Sequence, residues 1–160
     1  MRQEYSQLNS TLLNGCGCLV ILVILMILTA IALPSFLAMA NKSKQSEGKQ
    51  YVSSMNKGQQ AYFAEKSAFA TSIADLEIGI KTETTNYKYS TRATKTASFN
   101  YAVAKEKNLT SSVGGVFLVP AKTTSSILCE ADDRGTIEPA EPTYQNGEVI
   151  CGKGTTLVSK

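Results

Sequence analysis

Histidine and tryptophan are both absent from this 160-residue chain. Without histidine there is no Ser-His-Asp or Cys-His catalytic set, and no histidine-ligated zinc or haem. Charge is also scarce. Asp, Glu, Lys and Arg make up 18% of the residues, 16 basic against 13 acidic, for a net charge of +3. So mild and evenly spread a balance argues against a nucleic-acid partner. Serine and lysine are plentiful, but none sits in a recognisable nucleophile motif and no nucleophile is grouped with a base. The expectation is a protein that is not an enzyme and has no catalytic residue, cofactor or metal.

Charge is scarcest near the start. Arg2 and Glu4 are the only Asp, Glu, Lys or Arg residues before Lys42. Residues 18–28, Cys-Leu-Val-Ile-Leu-Val-Ile-Leu-Met-Ile-Leu, form an aliphatic run that Thr-Ala-Ile-Ala-Leu carries to Leu33, and Ser-Phe-Leu-Ala-Met-Ala follows Pro34. A helix needs about 20 apolar residues to cross a bilayer core of about 30 Å, where it satisfies its own backbone groups. A buried core helix of this length would normally keep a polar face. The sequence therefore predicts a short N-terminal segment over 1–14 and a transmembrane helix over 15–40, in a single-pass protein with the membrane as a partner. Pro34 removes an intrahelical hydrogen bond and crowds the preceding turn, so a kink is expected there.

Other readings of this region compete. Ala30-Ile31-Ala32 fits the small-x-small pattern of signal-peptide cleavage, which would release a soluble exported binding domain after Ala32. The weak n-region and the long apolar run favour a retained anchor instead. Leu13-Asn14-Gly15-Cys16 resembles a lipobox but precedes its hydrophobic region rather than following it. The positive-inside count sets Arg2 and the α-amine against Lys42, Lys44 and Lys49, and alone leaves the C-terminal domain in the cytoplasm. Cys129 and Cys151 argue the other way. They lie in a loop-rich tail at a spacing able to close a disulfide in an oxidising compartment, with two unrelated free thiols as the alternative.

Beyond the apolar run, Tyr51, Val52, Met55, Gln59 and Tyr62/Phe63 recur at helical spacing, extending one helix from about Cys16 to Ala64. Gly48 and Gly58 weaken it without ending it. Phe69, Ile73, Leu76, Ile78 and Ile80 offer core cover in a mixed connector. The period then falls to two, and residues 87–89, 99–103, 116–119 and 126–129 read as strands. Residues 91–96 form a hairpin connection, and Gly114-Gly115 reads as a turn or bulge. The tail from Ala131, rich in proline and glycine, reads as irregular. The fold class is α+β: a long N-terminal helix, transmembrane and then amphipathic, packed on a four-stranded antiparallel sheet, with residues 41–160 as the head.

Three stretches carry a resemblance: 32–37 (Ala-Leu-Pro-Ser-Phe-Leu), 40–47 (Ala-Asn-Lys-Ser-Lys-Gln-Ser-Glu) and 49–62 (Lys-Gln-Tyr-Val-Ser-Ser-Met-Asn-Lys-Gly-Gln-Gln-Ala-Tyr). Together with residues 69–76 and 79–82 they resemble cyanobacterial type IV pilins and pilin-like proteins of the G/H type. The resemblance implies a helix that anchors the subunit in the bacterial plasma membrane, and a helix-backed antiparallel sheet as an extracytoplasmic head. It also implies a C-terminal loop closed by a disulfide, here Cys129 to Cys151. Its implied partners are other pilins or pseudopilins, or the pilus assembly platform, with a homo-oligomer among the possibilities. The implied setting is type IV pilus or type II secretion machinery, with its roles in adhesion and motility.

The departure from the family lies at the processing site. Aligned on Pro34, Leu12 stands where the family has the glycine preceding cleavage, Leu13 where it has phenylalanine, and Gly17 where it has glutamate. A membrane-buried carboxylate is costly unless paired, and Gly17 offers none. The expectation is a chain not processed at the usual site. A filament subunit cleaved near Gly15 or Gly17 is the alternative. Cys16 and Cys18 flank Gly17 at the membrane boundary. They read as small residues at a close helix interface, or as a thiol pair for redox chemistry, metal binding or a dimer crosslink. Glu130, Asp132 and Asp133 lack the EF-hand spacing and read as a solvated acidic loop rather than a calcium site.

Overall fold

The computed structural model describes the backbone of residues 2–160 and the side chains of residues 17–30, 39–120 and 122–160. The chain divides into two compact units, residues 1–40 and residues 41–160. The first is entirely helical over its described backbone. The helix α1 spans Arg2–Lys66, so residues 1–14, expected as a separate segment, are helical from Arg2 onward. It is assigned as helix through Pro34. The Pro34 ring, on which the expected kink turns, lies outside the described residues. Among the described residues no helix is long and apolar enough to cross a membrane. The side chains of residues 31–38, which would extend the apolar run, are not among them.

In the second unit α1 ends where Ser67 takes a left-handed conformation (φ 55°) and donates its N–H to the Phe63 carbonyl at 2.8 Å. A short 3-10 turn follows at Ala74–Leu76. The strands are β1 Tyr87–Ala93, β2 Ala97–Ala104, β3 Thr110–Val119, β4 Thr123–Arg134, β5 Thr143–Gln145, β6 Glu148–Ile150 and β7 Thr155–Ser159. The main sheet is five-stranded, in the order β1-β2-β3-β4-β7, and every pair in it is antiparallel. β5 and β6 form a separate hairpin.

The α+β class with a long helix and an antiparallel sheet stands, but two expectations are corrected. The sheet has five strands because the tail returns: β7 pairs along Leu128–Ala131. The tail is also not irregular, since Asn146 and Gly147, both with positive φ, turn β5 into β6. An Asn-Gly pair suits such a two-residue hairpin because both positions tolerate the left-handed region.

Strand alternation gives the sheet two covered faces. On one, Val52 and Met55 of α1 pack against Tyr87, Tyr89, Ala102, Ala104, Leu109 and Leu128, with Ala70, Ile73 and Leu76 closing the layer. On the other, Phe99, Tyr101, Val113, Phe117, Ile127 and Cys129 are covered by Val149, Tyr144 and Cys151 of the tail. Hence β2 and β3 read as nearly continuous buried strands.

Gly114 and Gly115 lie within β3, opposite Asn100 and Phe99, and not in a turn. Side chains at these positions would meet the two covering layers. A Cβ on Gly114 would sit 2.2 Å from Asn56 Oδ1 and 2.7 Å from Val52 Cγ1, and one on Gly115 would sit 2.6 Å from Pro142 Cγ. The glycine pair therefore marks close approach from both sides. The irregularity in β3 falls instead between Thr110 and Ser112.

A buried polar chain fixes α1 against the sheet. Gln59 exchanges two 2.9 Å hydrogen bonds with the Ala70 backbone and donates to Thr91 Oγ1 at 3.1 Å. Thr91 donates to Asn100 Oδ1 at 2.7 Å, Asn100 donates to Asn56 Oδ1 at 2.8 Å, and Asn56 donates to the Ile127 carbonyl at 3.0 Å. Ser98, fully buried on the same sheet face, has no protein partner for its hydroxyl. Ser98→Ala removes an unpaired buried group and is expected to raise stability by about 1 kcal/mol. A higher denaturant midpoint checks this, and a lower one contradicts it.

Candidate functional site

The features with functional potential among the described residues are surfaces and ties. Cys129, buried at the centre of β4, is bonded to Cys151 just beyond β6, with Cα atoms 5.8 Å apart. A second tie comes from Glu141, whose carboxylate receives both the Arg92 guanidinium and the Tyr101 hydroxyl. Arg92 also lies over the Phe99 ring, 5.3 Å from its centroid, a favourable cation–π placement. Pro142 packs beside Gly115. The 22-residue separation between the cysteines thus encloses a clasp held to the sheet by a covalent bond, an ion pair and apolar packing.

Three tyrosines work as pegs around the sheet. Burial pushes the Tyr87 hydroxyl up to about 12, aided by the carboxylates of Glu130, Glu47 and Glu106. Burial raises Tyr89 still further, and raises Tyr101 against the opposing pull of Arg92. All three stay protonated donors at neutral pH. Tyr87 donates to the Thr110 carbonyl at 3.1 Å and Tyr89 to Glu47 at 3.2 Å. Burial pushes the Glu47 carboxyl up, but hydrogen bonds from Thr84, Asn86 and Tyr89 outweigh it and leave the group below its usual range.

Two of the lysines that follow the apolar run pair with carboxylates. Lys44 pairs with Glu106 at 3.1 Å and Lys49 with Glu130 at 2.7 Å. The acidic group in β4 is dispersed: Glu130 faces Lys49 and accepts from Thr110, while Asp132 accepts from Thr156 at 2.6 Å. Among the described residues no three His, Cys, Asp or Glu side chains gather as a metal site. A groove of 460 Å3 on the head is lined by Ser46, Glu47, Gln50 and Tyr51.

In the first unit, Leu19 to Leu28 are all exposed, between 48% and 69%. Gly17 is exposed with open space around it, and Cys18 is an exposed free thiol. The side chains of Gly15, Cys16, Ala32 and Pro34 lie outside the described residues. The structure thus joins Cys129 and Cys151 and leaves the remaining candidates along α1. The Arg92–Glu141–Tyr101 tie was not legible beforehand, because its members are far apart in sequence and none is unusual alone.

A sequence profile of the type IV pilin-like G and H family matches residues 45–152. The chain belongs to the type IV pilin-like G and H family. In this pilin-like protein the matched span starts within α1 and covers both covering layers of the sheet and both bonded cysteines, ending before β7. Neither a curated protein nor a solved structure matches the chain. The family is generally a structural one, which suggests association with other pilins or pilus machinery.

Proposed function

We propose that this is a single-pass, membrane-anchored pilin-like subunit whose head works outside the cytoplasm of a bacterial cell, as a structural or interaction component of type IV pilus or type II secretion machinery. The observation that carries this reading is the apolar run of α1. Leu19 to Leu28 are exposed large hydrophobic side chains, and the sequence continues the run to Leu33. So large an exposed apolar surface needs lipid or partner helices around it. The bonded pair Cys129–Cys151 supports an oxidising compartment for the head. The absence of the usual glycine, phenylalanine and glutamate at Leu12, Leu13 and Gly17 supports retention of the residues before the apolar run.

Leu25→Arg is the decisive variant. A charge at the centre of a span costs at least about 2.5 kcal/mol, so the variant is expected to leave the membrane fraction. If it still pellets with membranes after carbonate washing, the anchor is elsewhere. The intact mass of the detergent-extracted native chain reads processing. Loss of residues through Gly15 or Gly17 would indicate a processed filament subunit, and loss through Ala32 a released soluble domain.

A further inference from the structure

The two edges of the main sheet are protected very differently. The outer edge of β1 is capped by the preceding segment: Tyr89 donates its N–H to the Thr82 carbonyl at 2.8 Å, Thr84 donates to the Tyr87 carbonyl at 2.9 Å, and Glu83 bridges to Lys88. Lys88 and Arg92 add charge along it. Such capping and charge are the usual means of keeping an edge from pairing with another chain. β7, at the other edge, has neither. Thr155–Ser159 carries no charge and no proline, and no strand lies beyond it among the described residues. Leu157 and Val158 are exposed by 49% and 41% on opposite faces.

We infer that β7 is a docking edge for a second copy of this chain, which adds its own β7 antiparallel about a twofold axis through Leu157. The register favours this occupant. Centred on Leu157, the pairing overlaps all of Thr155–Ser159. It sets Leu157 against Leu157 and Val158 against Thr156, the apolar and β-branched pairs that stabilise antiparallel ladders. Charge agrees with it. The same register places Lys160 of the second copy opposite Gly154, whose Cβ position is open. Gly154 is itself bonded through its carbonyl to the Asp132 N–H at 3.0 Å, so the incoming lysine shares the sheet face of the β4 carboxylate Asp132. A five-residue ladder buries less than a standard interface of about 1,600 Å2, so the pair is weak in dilute solution. The inference deepens the proposed function by naming a second copy as one partner, and it does not depend on the anchor.

Crosslinking by register tests it. In a Cys16→Ser/Cys18→Ser background, full-length Thr156→Cys chains and Val158→Cys chains are mixed in detergent micelles and mildly oxidised. The twofold sets residue 156 of one copy opposite 158 of the other at a Cα separation of about 4.5–5.5 Å, within disulfide range. The mixture is expected to form covalent dimer several-fold faster than either chain alone. Leu157→Lys, which brings like charges together on the axis, is expected to abolish the non-covalent dimer that the parent chain forms in sedimentation at high protein concentration, while leaving the melting temperature unchanged. Equal crosslinking rates, monomers throughout, or dimers that survive Leu157→Lys would each overturn the inference, the last by locating association in the helix. Carbonate extraction of the same samples reads the anchor separately, so either reading can fail alone.

Discussion

Replacing Gly114 with alanine is expected to lower the stability of the head by about 3–5 kcal/mol, a large fraction of what a domain of this size possesses. The added methyl would sit 2.2 Å from Asn56 Oδ1, 2.7 Å from Asn56 Nδ2 and 2.7 Å from Val52 Cγ1. Val52 is fully buried and stiff at its branch point. Asn56 is short, and both ends of its amide are committed, one accepting from Asn100 and the other donating to the Ile127 carbonyl. Asn56 cannot yield without leaving buried polar groups unpaired, and Val52 cannot without opening the apolar layer it packs in. Either α1 lifts from the sheet or the polar chain opens, and each costs more than the methyl gains. The measurement is the denaturant midpoint of the detergent-solubilised chain, with Gly17→Ala as control because a Cβ there would enter open space. A midpoint within error of the native one would show that the helix does not pack where the structure places it.

Removing the disulfide ranks second. A Cys129→Ala/Cys151→Ala chain is expected to lose about 3 kcal/mol, the loop-closure figure for a separation of this length. The loss should appear first in the tail. With the bond gone, the clasp retains the Glu141 contacts and the packing of Pro142 and Tyr144, while Val149 and the β5–β6 hairpin lose their covalent tether to β4. Limited proteolysis should therefore cut within residues 136–150 before the rest of the head unfolds. Unchanged protease resistance in the variant would show that the ion pair and the aromatic packing suffice alone.

Much of the sheet was legible because β1 to β4 announce themselves by alternation and by their aromatic and β-branched content. The helical repeat of Val52, Met55 and Gln59 likewise placed the face of α1 that meets the sheet. What escaped depended on partners distant in sequence. Gly114-Gly115 carries the composition of a turn. Its place in mid-strand follows only from Asn56 on one side and Pro142 on the other, neither of which local pattern can bring there. Lys44 and Lys49 look solvated until Glu106 and Glu130 return to meet them. The tail illustrates a different failure. Its Asn146-Gly147 turn and the Thr-Thr-Leu-Val-Ser strand were both written in the sequence. Their short length, amid prolines and glycines, made them read as irregular chain. The surfaces proposed for function divide in the same way. The apolar run is legible at first sight, whereas the contrast between a capped edge and a bare one exists only once the strands are ordered.

The polar chain from Gln59 to Asn56 has a mechanical consequence. Apolar packing alone would let a helix slide along a sheet at modest cost, because one aliphatic contact replaces another. Here each step of travel, 1.5 Å per residue, pulls Asn56 off both Asn100 and the Ile127 carbonyl and Gln59 off the Ala70 backbone at once. A load directed along α1 is therefore met in shear by several hydrogen bonds acting in parallel, and the helix behaves as a shaft keyed to its hub. Tension reaching this segment is delivered to β1, β2 and β4 together and not dissipated by creep.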